Sequence, residues 1–138
     1  PAGEDSLVII DWQLIGYGPG AYDLAYFIGQ SLTVELRRSS EARLLELYRE
    51  TLAAAGVHDY SAEQLAEDYR RGLLAAMRIP LTGSGEFARV REEANRLSGA
   101  IREGYDAALQ AGDALMQMIA ERNVAAIVDT SAAELLRA

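Results

Sequence analysis

A single, mainly helical domain with one short strand at its N-terminus is what this sequence predicts. Three observations carry the expectation. From residue 21 onward apolar side chains recur at three- and four-residue steps, the spacing that lines one face of a helix. Serine caps and glycine stops cut that periodic stretch into helix-sized segments. The β-branched run Leu7-Val8-Ile9-Ile10 is the one convincing strand pattern. The 138 residues suffice for one domain and not for two.

Taken in order, residues 1–6 are polar and turn-like. The run at 7–10 leads into Asp11-Trp12-Gln13 and a glycine-dense loop, Gly16-Tyr17-Gly18-Pro19-Gly20. A lone strand cannot satisfy its own backbone groups and needs a partner. The alanine-diluted stretch 124–128 is the only other candidate. A first helix over 21 to about 36 is apolar nearly all round (Tyr22, Leu24, Ala25, Phe27, Ile28, Leu32), so it should be buried on most sides. Ser40 is placed to cap a second helix, with Leu44, Leu45, Tyr48 and Leu52 inward and Gly56 as its stop. Ser61 and Gln64 have capping-box spacing for a third, whose apolar face is Leu65, Tyr69, Leu73, Ala76 and Met77. Pro80 and the turn Thr82-Gly83-Ser84-Gly85 should end it. A long fourth helix carries Phe87, Val90, Ala94, Leu97, Ile101, Tyr105 and Ala108, with a break or kink expected at Gly112-Asp113 before Leu115, Met116 and Ile119. Ser131 and Glu134 have the spacing of another capping box, for a short final helix.

Composition then removes whole classes of chemistry. There is no cysteine, which excludes disulfides, thiolate metal sites and cysteine nucleophiles. The one histidine, His58, lies between helices, where a solvated surface role is expected, and it cannot build a multi-histidine zinc site. The formal net charge is −8 and the basic residues are scattered, so no nucleic-acid partner is expected. All 13 basic residues are arginine; lysine, a usual point-charge partner of nucleotide phosphates, is missing. No wholly apolar run is longer than five residues and no secretory leader opens the sequence, so no membrane association and a cytoplasmic setting are expected. The sequence begins at Pro1, which suggests a portion of a longer protein. Nothing in it fixes an oligomeric state.

Few residues stand out as carriers of chemistry. A carboxylate directly after a buried strand and before a glycine loop, as Asp11 is, can hold a metal or ligand; it can equally bond its own turn. Asp23, near the start of the apolar helix, suits the helix dipole in any case. Gly16-x-Gly18-x-Gly20 lacks the spacing of a dinucleotide fingerprint. Tyr17 and Tyr22 flank that loop and could line a cleft. Tyr48, Tyr69 and Tyr105 fall on apolar helix faces, where core packing with a bonded hydroxyl is the default. Glu63, Glu67, Asp68, Glu86, Glu92 and Glu93 read as a solvated face, or as an acidic pocket for a cationic acceptor. Met116 and Met118 read as core filling.

Together, Ile10-Asp11-Trp12-Gln13, Gly16 and Asp23-Leu24-Ala25 resemble the second half of the active-site motif of aminoglycoside phosphotransferase-like kinases. Tyr26-Phe27-Ile28, Ser31-Leu32, Arg37-Arg38, Glu41, Leu44-Leu45, Tyr48 and the helix end at Gly56 are similar to the branch near choline kinase-like and ecdysteroid kinase-like proteins. The resemblance is specific over 7–56, fair to about 78 and diffuse beyond. It implies the helical C-terminal lobe of a protein-kinase-like fold, and γ-phosphoryl transfer from ATP or GTP to the hydroxyl of a small acceptor. By position, Asp11 matches the acid that binds Mg²⁺ and bridges the nucleotide phosphates. Asp23 matches a buried aspartate that braces the catalytic loop, so burial and hydrogen bonds are expected of it. Trp12 falls at the aromatic position of the kinase motif. Gln13 departs from the glutamate common in antibiotic kinases. Trp12, Gln13, Tyr17 and Tyr22 are candidate cleft-lining residues. The family's His-Gly-Asp loop with its following asparagine would precede Pro1, so this stretch alone should be inactive. In these kinases the strand at 7–10 pairs with one from that loop. A non-enzymatic helical binding module, with Asp11 and Asp23 purely structural, is the alternative.

Overall fold

A computed structural model describes residues 16–137, and every described element is helical. The expected strand at 7–10 lies outside the described residues, as do Asp11, Trp12 and Gln13.

The helical segment after the glycine loop is shorter than its composition suggests. Helix α1, Ala21–Tyr26, runs directly into a single wide π turn, Phe27–Ser31, and stops where Leu32 becomes extended. Ala21, Ala25, Ile28, Gly29 and Gln30 face inward, whereas Tyr26 and Phe27 are exposed, so the segment is buried on one side only. Thr33 restarts the helix: its hydroxyl accepts the Leu36 N–H at 3.3 Å, capping α2, Val34–Ala54. Ser40, expected as that cap, lies inside α2 and donates its hydroxyl back to the Leu36 carbonyl at 2.6 Å. Gly56 ends α2 as expected. Its φ of 93° is open to glycine, and the Val57 N–H reaches Leu52 O at 2.9 Å while the Gly56 N–H reaches Ala53 O at 3.0 Å.

Helix α3, Ala62–Ala76, begins with the expected capping box: Gln64 N–H to Ser61 Oγ at 3.2 Å and Ser61 N–H to Gln64 Oε1 at 2.8 Å. Its inner face is Leu65, Tyr69, Gly72, Leu73 and Ala76. The turn expected at 82–85 does not form. Helix α4, Arg78–Ala94, starts almost at once and includes Pro80 and all four of those residues. Proline is tolerated there because it sits in the first turn. Nor does Gly112 break the chain. The interruption falls at 95–98, and α5, Gly99–Asp129, runs through Gly112 for 31 residues. Glycine serves close approach there: a Cβ at Gly112 would lie 2.5 Å from Phe87 Cζ. After α5, Ser131 adopts a left-handed conformation with φ 54° and forms no side-chain cap. The expected capping box is replaced by a 3₁₀ turn, Ala132–Leu136, and the Ser131 carbonyl accepts from Arg70 at 2.7 Å.

The core is Ala25, Ile28, Tyr69, Leu73 and Ala126, with Leu24, Leu32, Leu44, Leu45 and Ile127 packed around it. It thus joins α1 and the π turn to α3, α2 and the C-terminal part of α5. Tyr69 is core, as expected. Tyr105 is 46% exposed instead, because that part of α5 is met chiefly by α4 on its other side. Met116 fills the space left by Gly83, whereas Met118 is partly exposed.

Two buried amides close the junction of α3 and α4. In a continuous helix the Ala76 carbonyl would receive the N–H of residue 80, and proline has none. Gln30 Nε2 donates to it instead, at 2.8 Å. The Leu73 carbonyl is freed likewise, because the Met77 N–H turns to Leu74 O at 3.3 Å, and Asn123 Nδ2 fills it at 2.8 Å. Both side chains are almost wholly buried, at 4% and 0% exposure.

A charged network ties α2 to α3 and α5. Arg37 is 1% exposed and pairs with Glu41 at 2.6 Å and with Asp129. Arg38 reaches Asp129 at 2.7 Å, and the Tyr69 hydroxyl donates to Glu41 at 2.8 Å. Burial pulls the Arg37 pKa down, but the bonds and charges of Glu41 and Asp129 outweigh it and leave the net shift upward.

Candidate functional site around the glycine loop

Loop residues 16–20, with Tyr22 and Asp23, border an opening of about 460 Å³. Helix α1 positions both side chains. Ala21 and Ala25 point into the core, so the 3.6-residue period turns Asp23 outward and leaves Tyr22 half-buried at the edge. The expected burial of Asp23 is therefore not found. Its side chain is exposed and makes no hydrogen bond among the described residues, and it stands in the first turn of α1, where the dipole favours an acid. Tyr17 and Tyr22 do line the opening, as their flanking positions suggest.

The loop's exit is held by a contact that sequence reasoning missed. The Tyr48 hydroxyl from α2 comes so close to Gly20 that any Cβ there would overlap it. Burial, with the nearby charges of Asp23 and Asp68, raises the Tyr48 pKa. Asp68 in turn accepts the Tyr60 hydroxyl at 2.8 Å, and burial with that bond raises the Tyr60 pKa. Asp68 is thus half-buried and engaged, while Glu63, Glu67, Glu86, Glu92 and Glu93 are exposed as a solvated face. His58 is exposed as well. Tyr22 also borders a second, apolar trough of about 660 Å³, between α1 and the α3–α4 junction, lined further by Leu74, Met77, Arg78, Leu81 and Thr82.

No group of three His, Cys, Asp or Glu side chains converges among the described residues. Among the described residues that border the opening, Asp23 carries the one carboxylate, and Tyr17 and Tyr22 carry hydroxyls. Mg²⁺ takes oxygen ligands, and one carboxylate does not by itself make a site for it.

A family model described as "Uncharacterized oxidoreductase dhs-27" matches residues 5–103. The chain belongs to that family. The family lies within the ecdysteroid kinase-like group. Its match takes in Asp11, Trp12, Gln13, the glycine loop, Asp23 and helices α1 to α4, and ends just inside α5. No curated protein and no solved structure matches the chain.

Proposed function

We propose that the chain is the C-terminal-lobe portion of a small-molecule kinase that transfers the γ-phosphoryl group of ATP or GTP to a hydroxyl. One observation carries the reading. The family match spans the Asp11-Trp12-Gln13 to Asp23-Leu24-Ala25 motif, and the group to which the family belongs is kinase-like. The opening at the glycine loop, rimmed by Asp23, Tyr17 and Tyr22, supports it.

In this reading Asp11 holds Mg²⁺ at the start of the glycine loop. The bound ion supplies neutralisation of the nucleotide's phosphate charge. Trp12 and Gln13 line the cleft together with Tyr17 and Tyr22. Asp23 presents a carboxylate to a catalytic loop that precedes Pro1 in the complete enzyme and carries the base that orients the acceptor. Its exposure, with no bond among the described residues, counts against this role, which requires a partner contributed by that loop. Gly20 and Tyr48 fix where the glycine loop enters α1. With the base and its loop elsewhere, this stretch alone binds Mg-nucleotide weakly and turns nothing over, because positioning and electrostatics supply most of phosphoryl-transfer catalysis.

The test is turnover of the complete enzyme with Mg-ATP and Mg-GTP against a panel of hydroxylated amines, sugars and sterols, beside its Asp11→Ala variant. Activity is expected to fall by a factor of about a thousand or more while the helical signal persists, since electrostatic stabilisation of this kind is worth several kcal/mol. An Asp11→Ala enzyme that turns over normally would overturn the assignment. The competing reading, a non-enzymatic helical binding module, draws on Asp23 as a plain first-turn acid. It requires no turnover at all from the complete protein.

A further inference from the structure

The apolar trough beside Tyr22 carries a more specific inference. Its lining is mostly hydrocarbon, and Leu81 stands 67% exposed at its side. Set into this lining is Arg78. Many arginines of the chain pair with carboxylates, as Arg37, Arg49, Arg71 and Arg89 do, whereas Arg96, Arg122 and Arg137, like Arg78, form no ion pair among the described residues. Among the described residues, Arg78 makes no ion pair and no side-chain hydrogen bond, and no carboxylate lines the trough. Thr82 has its hydroxyl proton committed to the Arg78 carbonyl at 2.8 Å, so it adds no free donor. Arg78 is exposed at the edge of the trough, and it is the one charged side chain among the described residues that line it.

We propose that this trough is an acceptor subsite for an anionic amphiphile: an apolar body lying along Leu74, Met77 and Leu81, with a carboxylate or similar anion paired to Arg78. Three physical arguments select that class. A neutral body gains no electrostatic partner from Arg78, which stays in water. A cationic ligand is repelled by Arg78. A carboxylate forms a charge-assisted, bidentate pair with guanidinium, stronger than a neutral hydrogen bond. Orientation follows from charge as well. Tyr22 borders both the trough and the glycine-loop opening, and Asp23 stands at that opening. Asp23 repels an anion from the opening, which directs the anionic end to Arg78 and leaves the other end of the ligand beside Tyr22. The identification of that other end as the reacting hydroxyl rests on the phosphotransferase reading; the anion preference does not.

The experiment is calorimetric titration of the chain, without nucleotide, with three probes that share one apolar body: ω-hydroxydecanoate, the α,ω-decanediol and ω-hydroxydecyltrimethylammonium. The carboxylate is expected to bind about three- to fivefold tighter than the diol, the upper range of an exposed ion pair. The ammonium should bind weakest. Arg78→Gln is expected to erase the carboxylate's advantage and leave the diol unchanged. Leu81→Asp, at an exposed position, should weaken carboxylate and diol together. Equal binding of the three head groups, failure of the carboxylate to bind, or an advantage that survives Arg78→Gln would each overturn the proposal. Those results are separate from turnover. A carboxylate preference in a protein whose complete form transfers no phosphoryl group would keep the subsite and remove the kinase reading, and the converse result would do the opposite.

Discussion

Arg37 is the residue on which the molecule's long-range charge pairing turns. Its side chain is sealed between α2 and α5, with Glu41 one turn ahead and Asp129 arriving from 92 positions away. Arg37→Ala removes the cation shared by two carboxylates and leaves a void. The expected loss is roughly 2–4 kcal/mol, below the full cost of breaking a sealed pair because both carboxylates keep some water. Urea unfolding measures it, and a loss under half a kcal/mol would show the network to be ornamental. The network also sets the acid edge of stability. The bond from Arg38, then that from Arg37, holds the Asp129 carboxyl below its ordinary range against the opposing pull of desolvation. A lowered folded-state pKa contributes stability that is present above the unfolded value, near 4, and is lost as pH falls through the folded one. Asp129→Asn should therefore destabilise at neutral pH and converge with the wild type in strong acid. Tyrosine sets the alkaline edge. Burial and the Glu41 carboxylate raise the Tyr69 pKa, and burial with the Asp68 bond raises that of Tyr60. Stability from these raised values is full below about pH 10 and falls as pH rises toward them. A midpoint that is flat from neutrality to strong alkali would refute that account. The Glu41 half of the network was visible as an arginine four residues before a glutamate. Asp129 was not, because pairing across 92 residues leaves no local spacing to read.

Helix ends decide how much of each element could be read in advance. The Ser61 cap and the Gly56 stop were legible because their partners lie within a few residues. The first half of the run from Arg78 to Ala94 was not, since Pro80 and two glycines read locally as a turn, whereas its second half, from Phe87, was read as helix. Its helical state depends on a donor brought by tertiary structure: Gln30, from the π turn, takes the place of the N–H that Pro80 lacks. Gln30→Leu should cost about 1–3 kcal/mol by orphaning the Ala76 carbonyl. In a Pro80→Ala background the restored N–H can serve that carbonyl, so the same change should cost distinctly less. A double-mutant cycle in urea reads the coupling, and equal costs in the two backgrounds would refute the account. Glycines divide on the same principle. A Cβ at Gly72 would lie 2.7 Å from Ala25 Cβ and 3.2 Å from the Ala21 carbonyl oxygen, in the seam of α1 and α3. Gly72→Ala should destabilise by about 1–3 kcal/mol. Gly85 has nothing within 4 Å of its Cβ position and sits inside α4, so Gly85→Ala should stabilise by about 0.5–1 kcal/mol. Thermal midpoints that move the same way for both would contradict this division.

At the scale of the whole molecule, the fold class was legible and the distribution of stability was not. Apolar periodicity announces helices, but it does not say which faces meet. Helix α3 buries five residues against α1 and the end of α5, whereas α4 buries only Pro80 and Ala94. The first half of α5 buries Leu109 and leaves Ile101, Tyr105 and Leu115 in water. These two segments pack chiefly on each other and form an arm beside the core. Few buried apolar contacts and many solvent-facing backbone bonds give a low free energy of local opening. Native-state hydrogen exchange should therefore show α4 and residues 99–115 opening well before α3 and residues 120–129, which open only with global unfolding. The candidate site spans that divide. Tyr22 and the glycine loop belong to the stable side, while Arg78 and Leu81 stand on the first turn of the arm. Gly85→Ala, by stiffening α4, should slow exchange in the arm more than in α3, and a ligand seated on Arg78 should do the same. Exchange that is uniform over all five helices, with the arm protected as well as the core, would mean that one cooperative unit carries both sides of the site.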